Sequence, residues 1–418
     1  MSLVRNSTIY LSSNILNALV PFLLLPILTH NLNPGDYGQI AMFQTLINGL
    51  AALTGLNTIG AANRYYYDVQ AQDELSLYNG ACIHVLLLSS LILVLSAALF
   101  GAQLSELLSI PAAWIYLAIF VSAGTFIIQF RLAQWQIRER AWNYGFLQVS
   151  QSIFVFILTL ALLFLIKQGA ASRINALLFG TIFFVLISLF TLFKERLLTI
   201  QTVNISYIKD ALSFGIPLVP HIVGIFFLSA IDRVLISSRL GIEDAGIYML
   251  AVQLSLGMVV VFDAINKAMV PWLFRILTVN DVAKLNKLVK FSYGYFILLT
   301  FLGVLSFWIG PLVVNLFAGS KYQEATNVIG WLCLGQAFNG MYLMVTNYLF
   351  YAKKTGRLSI ITISCGIFNI VLLLIMMKSN GIVGVAIAFS ISMCIRFLAT
   401  WALAWQLKLV SWNIFKKA

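Results

Sequence analysis

The 418 residues are 61% hydrophobic and 10% charged, with a formal net charge of +12. A water-soluble chain carries about 25% charged residues, and no soluble core could hide this much apolar surface. The apolar residues form unbroken blocks of about 20, enough to cross about 30 Å of hydrocarbon, and runs such as Leu86 to Leu95 lack the alternation of a transmembrane β-strand.

In chain order, the blocks predict twelve transmembrane helices at 8–28, 39–60, 80–101, 112–132, 144–166, 174–193, 214–237, 246–268, 291–317, 325–350, 358–377 and 383–407. The Met1 to Ser7 run has no small-x-small cleavage site, so the first span reads as uncleaved. An even count puts both termini on one side. With that side cytoplasmic, 19 of the 26 Lys and Arg lie on inner segments, counting Arg131 and Lys267 at the inner ends of their spans, and five on outer ones, which fixes both ends inside. The basic loops then face anionic headgroups, and the charge needs no nucleic acid. Between the eighth and ninth spans, Asn280 or Asp281 can cap a short amphipathic helix. There Val282, Leu285, Leu288 and Val289 oppose Lys284, Lys287 and Lys290, which predicts a helix on the inner membrane surface. The four cysteines fall within spans without metal-ligand spacing and read as packing residues.

Shifting the chain by 208 positions aligns Leu32 with Leu240, Asp36 with Asp244, Gly38 with Gly246, Leu46 with Leu254 and Gly49 with Gly257. Six spans per half leave the two halves parallel, with a substrate site expected where they meet. The predicted organisation is a lobe at 1–193, a cytoplasmic linker at 194–213 and a second lobe at 214–418. The opening run Arg5-Asn6-Ser7-Thr8, the turns at Leu32 to Gly38 and Leu240 to Gly246, and Asp232-Arg233 resemble the Wzx polysaccharide flippases. These belong to the multidrug/oligosaccharidyl-lipid/polysaccharide exporter superfamily. The resemblance implies an all-α, MATE-like, V-shaped pair of six-helix lobes in the bacterial inner membrane. It implies a protein that flips undecaprenyl-diphosphate-linked oligosaccharide, such as an O-antigen unit, to the periplasmic leaflet, with a polysaccharide polymerase and a chain-length regulator as partners.

Polar residues inside spans mark candidate cavity walls. Asn6, Tyr10, Ser13 and Asn17 share one face of the first helix, Gln148, Gln151 and Ser152 one face of the fifth, and Gln336, Asn339, Thr346 and Asn347 one face of the tenth. Such residues also bond helices to each other. Intramembrane charges cost about 2.5–3.5 kcal/mol each and so point to function. Asp263 and Lys267, four apart, share a face and can neutralise each other. Adjacent Asp232 and Arg233 point about 100° apart. Arg396 has no partner on its own helix and needs a carboxylate or a phosphate. With Arg64 at the inner mouth of the second span, the cations exceed the anions, which suits a diphosphate. The expected substrate-binding set is therefore Arg396, Lys267, Arg233, Arg64, Asn6, Asn17, Gln336 and Asn339. Without a Walker A motif, an ion gradient of protons or sodium is the expected driving force. Asp263 or Asp232 is the expected coupling group, with His84 and His221 as lesser candidates. No catalytic residue, metal or cofactor is expected. The rival readings are a multidrug or organic-cation antiporter of the same superfamily, which calls for a carboxylate-rich cavity, and a membrane polymerase or glycosyltransferase. The latter calls for a large external loop, and all external loops here are short.

Overall fold

The computed structural model describes residues 2–69, 71–279, 281–318, 320–352 and 354–412. Asn280, Lys353, Lys416, Lys417 and the side chains of Arg5, Ser7 and His221 lie outside the described residues. The chain forms α1 (Ser2–Asn31), α2 (Pro34–Leu50), α3 (Thr58–Asp68), α4 (Gln72–Leu108), α5 (Ala112–Ile137), α6 (Ala141–Leu165) and α7 (Ala170–Lys194). It continues through α8 (Ile205–Gly215), α9 (Val219–Arg239), α10 (Ile242–Val279), α11 (Val282–Phe317), α12 (Ala325–Tyr351) and α13 (Thr355–Gln406). Among the described residues nine helices are long and apolar enough to cross a membrane, ten when α2 and α3 count as one span bent by 49°. The other two of the twelve spans are α9 and one half of α13. That 52-residue helix is interrupted at Gly381 (φ 54°, ψ −138°). A Cβ on Gly384 would lie 2.0 Å from the Met376 carbonyl oxygen, so the chain folds back on itself there. The protein is an all-α, multi-pass membrane protein of the twelve-span type.

Two expected elements differ. The second span is not one helix: Gly55 (φ 68°), Leu56 (φ 46°) and Asn57 (φ 57°) are left-handed in succession. Left-handed backbone costs a non-glycine residue about 1–2 kcal/mol. The Ser89 hydroxyl, 2.9 Å from the Gly55 amide, helps hold the bend. The expected surface helix at 282–290 is instead the start of α11. The Asp281 carboxylate accepts from the Ala283 amide at 2.8 Å, and from there the helix runs unbroken to Phe317. Leu288 and Val289 are buried in the core rather than laid on lipid.

Contacts divide the chain into two compact units, Met1–Gly246 and Ile247–Ala418. In the first, α5 packs against α2, α4 and α7, and α1 against α6. Its cores join Phe43, Ile47 and Ile115 in one cluster and Tyr78, Leu86 and Phe130 in another. This unit extends past the linker, because α9 packs on α2 and α4. Most of the linker's second half is α8, capped by Asn204, whose side-chain Oδ1 accepts from the Ser206 amide at 3.0 Å. The second unit is built around α12, packed by α11 and α13, with Phe262, Leu299, Met341 and Phe397 in its core. α12 is the least apolar of the candidate spans and the most buried. Its polarity is kept from lipid by the helices around it.

The repeated glycines explain one another. A Cβ on Gly38 would lie 2.0 Å from the Ile242 carbonyl oxygen, and one on Gly246 2.0 Å from the Pro34 carbonyl oxygen. Positions 34 and 242, like 38 and 246, are related by the 208-residue shift. The first turns of α2 and α10 thus cross by a reciprocal contact that only glycine permits, with the backbones themselves in touch. Asp36, the other repeated residue of this turn, holds a neighbouring helix: its Oδ1 lies 3.4 Å from the Ala170 amide at the start of α7. A carboxylate there also complements the helix dipole.

Candidate functional site

The polar residues of the first unit meet each other. Asn17 Oδ1 accepts a hydrogen bond from Ser152, Asn14 Oδ1 accepts from Gln148 at 3.1 Å, and Asn6 Nδ2 donates to the Glu139 carbonyl at 3.4 Å. Tyr10 packs edge-on against Tyr144 at 5.0 Å. The polar faces of α1 and α6 are therefore two sides of one seam, and not two separate walls. Such bonds contribute about 0.6 kcal/mol each within a membrane, so the seam registers the helices more than it fastens them. Asn14 is exposed and Asn6, Asn17 and Gln148 are half-buried, which leaves one edge of the seam open.

Arg64, expected as a cation for the substrate, pairs with Asp68 one turn on at 3.8 Å. Asp232 accepts from the backbone amide of Arg233 at 2.9 Å, and both residues have further partners. His84 Nε2 lies 2.9 Å from the Ile200 carbonyl oxygen and ties α4 to the linker.

A cluster the sequence did not single out lies at the basic end of this unit. Arg131 is 0% exposed, its guanidinium 2.5 Å from Glu195 Oε1 and 4.0 Å above the Trp135 ring. Arg140 reaches the same oxygen at 3.0 Å, and Gln72 donates to the Glu195 carbonyl at 2.8 Å. Arg138 stacks over Tyr66 at 4.6 Å, and burial holds its guanidinium below the usual arginine range. Four helix ends, of α4 to α7, converge on Glu195. Arg131, one of the 19 cations assigned to the inner side, does not face headgroups: it is enclosed by protein. A buried charge that loses its partner costs about 3–5 kcal/mol, so Arg131 depends on Glu195. The only sequence signal was a lone acid in Lys194-Glu195-Arg196.

In the second unit the expected residues fall into three groups. Lys267 Nζ lies 2.6 Å from Asp263 Oδ2, an exposed pair on one helix face. Next to it, Asn266 Oδ1 accepts from Asn347 at 2.7 Å, joining α10 to α12. On α12, Asn339 donates to Gln336 at 3.4 Å, and Gln336 is 7% exposed. One turn from Asn339, the Tyr342 ring lies beneath Arg396, whose guanidinium carbon is 3.7 Å from the ring centre. Beyond that ring, the Arg396 guanidinium meets the Met393 sulfur at 4.0 Å, and Arg396 has no carboxylate partner among the described residues. Its Nε is buried without an acceptor. A cation–π contact contributes about 0.5–2 kcal/mol and directs none of the guanidinium's five N–H groups, of which one points at the Met393 sulfur. What completes such a group is an anion with several oxygens.

Residues 3–277 match the family described as polysaccharide biosynthesis protein. A Haemophilus influenzae protein of the Lsg locus is 28% identical over 377 residues, covering 86% of this chain and 87% of its own. Among solved structures, the chain resembles a lipid II flippase MurJ in an inward closed conformation. That match has a TM-score of 0.74 and 16% identity over 95% of this chain and 86% of that one. It also resembles an inward-facing multidrug resistance MATE family transporter of the MOP superfamily, with a TM-score of 0.71 and 17% identity over 96% of each chain. At these identities the structural likeness establishes the fold, and the match over residues 3–277 establishes the kinship. The chain belongs to the polysaccharide biosynthesis protein family.

Proposed function

We propose that this protein is a flippase that carries an undecaprenyl-diphosphate-linked oligosaccharide, an O-antigen or related repeat unit, from the cytoplasmic to the periplasmic leaflet of the bacterial inner membrane. Arg396 carries the reading. A guanidinium held over an aromatic ring inside a membrane helix, with no carboxylate partner among the described residues, fits the oxygens of a diphosphate. The family membership and the likeness to a lipid II flippase support the same class of cargo. The organic-cation antiporter is the weaker reading: Asp263, one carboxylate it would use, is occupied by Lys267 at 2.6 Å. Coupling to a proton or sodium gradient, through Asp263 or Asp232, belongs to the same proposal, as do a polymerase and a chain-length regulator acting on the delivered unit.

Proteoliposomes holding the full chain and a lipid-linked saccharide with a fluorescent sugar test this. Flipping is expected to rise several-fold when a proton or sodium gradient is imposed. A rate that ignores both gradients contradicts ion coupling, and export of ethidium without any flipping favours the antiporter.

A further inference from the structure

A cleft of about 470 Å³ opens between α3, α4 and α8, walled by Arg64, Tyr65, Asp68, Tyr78, Asp210 and Phe214, with Ser213 at its rim. All of these belong to the first unit. The cleft is firmly built. Tyr65 and Tyr78 stack nearly parallel (8°) with ring centres 3.9 Å apart, and Tyr207 closes against both. The Tyr78 hydroxyl donates to Asp210 Oδ2 at 2.7 Å, which orients that carboxylate. α8 is seated directly on the bend between α2 and α3, where a Cβ on Gly215 would lie 2.0 Å from the Leu56 carbonyl oxygen.

The chemistry of the walls selects among ligands. Two carboxylates face one guanidinium, and Arg64 is already paired with Asp68. That balance repels phosphate. Exposed carboxylates beside aromatic rings instead suit a polyhydroxylated ring: its hydroxyls donate to Asp68 and Asp210, while its C–H faces pack on Tyr65 and Phe214. The position is equally specific. α8 lies in the linker, and Gln72 at the start of α4 bonds to Glu195 in the arginine cluster, so the cleft is at the basic end that the charge distribution assigns to the cytoplasm.

We infer that this cleft docks a sugar residue of the cargo on the cytoplasmic side before translocation, an inference that rests on the flippase reading. It assigns α3, α4 and α8 to reading the sugar and not to holding the diphosphate.

The test measures binding of the full chain in nanodiscs to four probes by native mass spectrometry: bare undecaprenyl diphosphate, and the same carrier bearing one glucose, galactose or N-acetylglucosamine. The wild type is expected to bind at least one glycosylated carrier about tenfold more tightly than the bare one. Asp210→Asn keeps the shape but weakens the acceptor, and Ser213→Trp fills the rim from an exposed position. Each is expected to remove most of that preference while leaving bare-carrier binding unchanged. Equal wild-type binding of all four probes, or variants that keep the wild-type preference, overturns the sugar site and leaves the flippase reading standing. Failure to bind any of the four contradicts the flippase reading and takes the inference with it.

Discussion

Arg396→Glu is expected to reduce flipping of a lipid-linked saccharide by at least about a hundredfold, with the protein still inserted and folded. Glutamate and arginine cost about the same to place in a membrane helix, so insertion is not at stake. The loss comes at the site: the guanidinium over Tyr342 is replaced by a charge that repels a diphosphate. A hundredfold change corresponds to about 2.7 kcal/mol, within what a desolvated guanidinium–phosphate contact supplies. Arg396→Lys keeps the charge without the fork of donors and should fall between, about tenfold down. Tyr342→Phe retains the ring face and should be near wild type. Flipping assays on proteoliposomes with matched protein content read all three. Wild-type rates for Arg396→Glu would remove Arg396 from the mechanism.

Gly38→Ala and Gly246→Ala are each expected to destabilise the first unit by about 3 kcal/mol, the upper range for forcing an extra methyl into a packed contact. The neighbour is a backbone carbonyl 2.0 Å away, which cannot rotate aside, so the helices must part. Because the two glycines share one crossing, with the Gly38 amide 2.8 Å from the Cβ site of Gly246, the double variant should cost clearly less than the sum. Once α2 and α10 have separated for one methyl, the second finds room. Thermal unfolding in detergent measures this as a drop of several degrees for each single variant and little more for the pair. Additive drops would mean that the repeated glycines act independently.

The bundle was legible from block length alone, because only a membrane tolerates so many apolar runs of about 20 residues. The repeat was legible as identities at Asp36, Gly38, Asp244 and Gly246, but its meaning was not: that Gly38 and Gly246 touch each other depends on the chain crossing itself, which spacing does not encode. The pattern at 282–290 reads the same for a helix lying on a membrane as for one entering it. With no glycine or proline before Phe291, the backbone simply continues into α11. The polar face of α12 was visible as a period, yet periodicity cannot tell a cavity wall from a buried core. Gln336, Thr346 and Asn347 are at most 7% exposed, while Asn339 is half-buried. Asn17 and Ser152 lie 135 positions apart, so their pairing became visible only once α1 and α6 were packed together. Arg131 was hidden for the opposite reason. A cation near the end of a span has an easy account in headgroup contact, and only its burial against Glu195 shows another use.

The proposed cargo is tested most directly in the cell. Deleting the gene while its glycosyltransferases remain active should make undecaprenyl-diphosphate-linked saccharide accumulate, inaccessible from the periplasm to an added glycosidase. Restoring the wild-type chain, but not Arg396→Glu, should clear it. An unchanged lipid-linked pool with normal surface polysaccharide in the deletion strain would contradict the flippase reading.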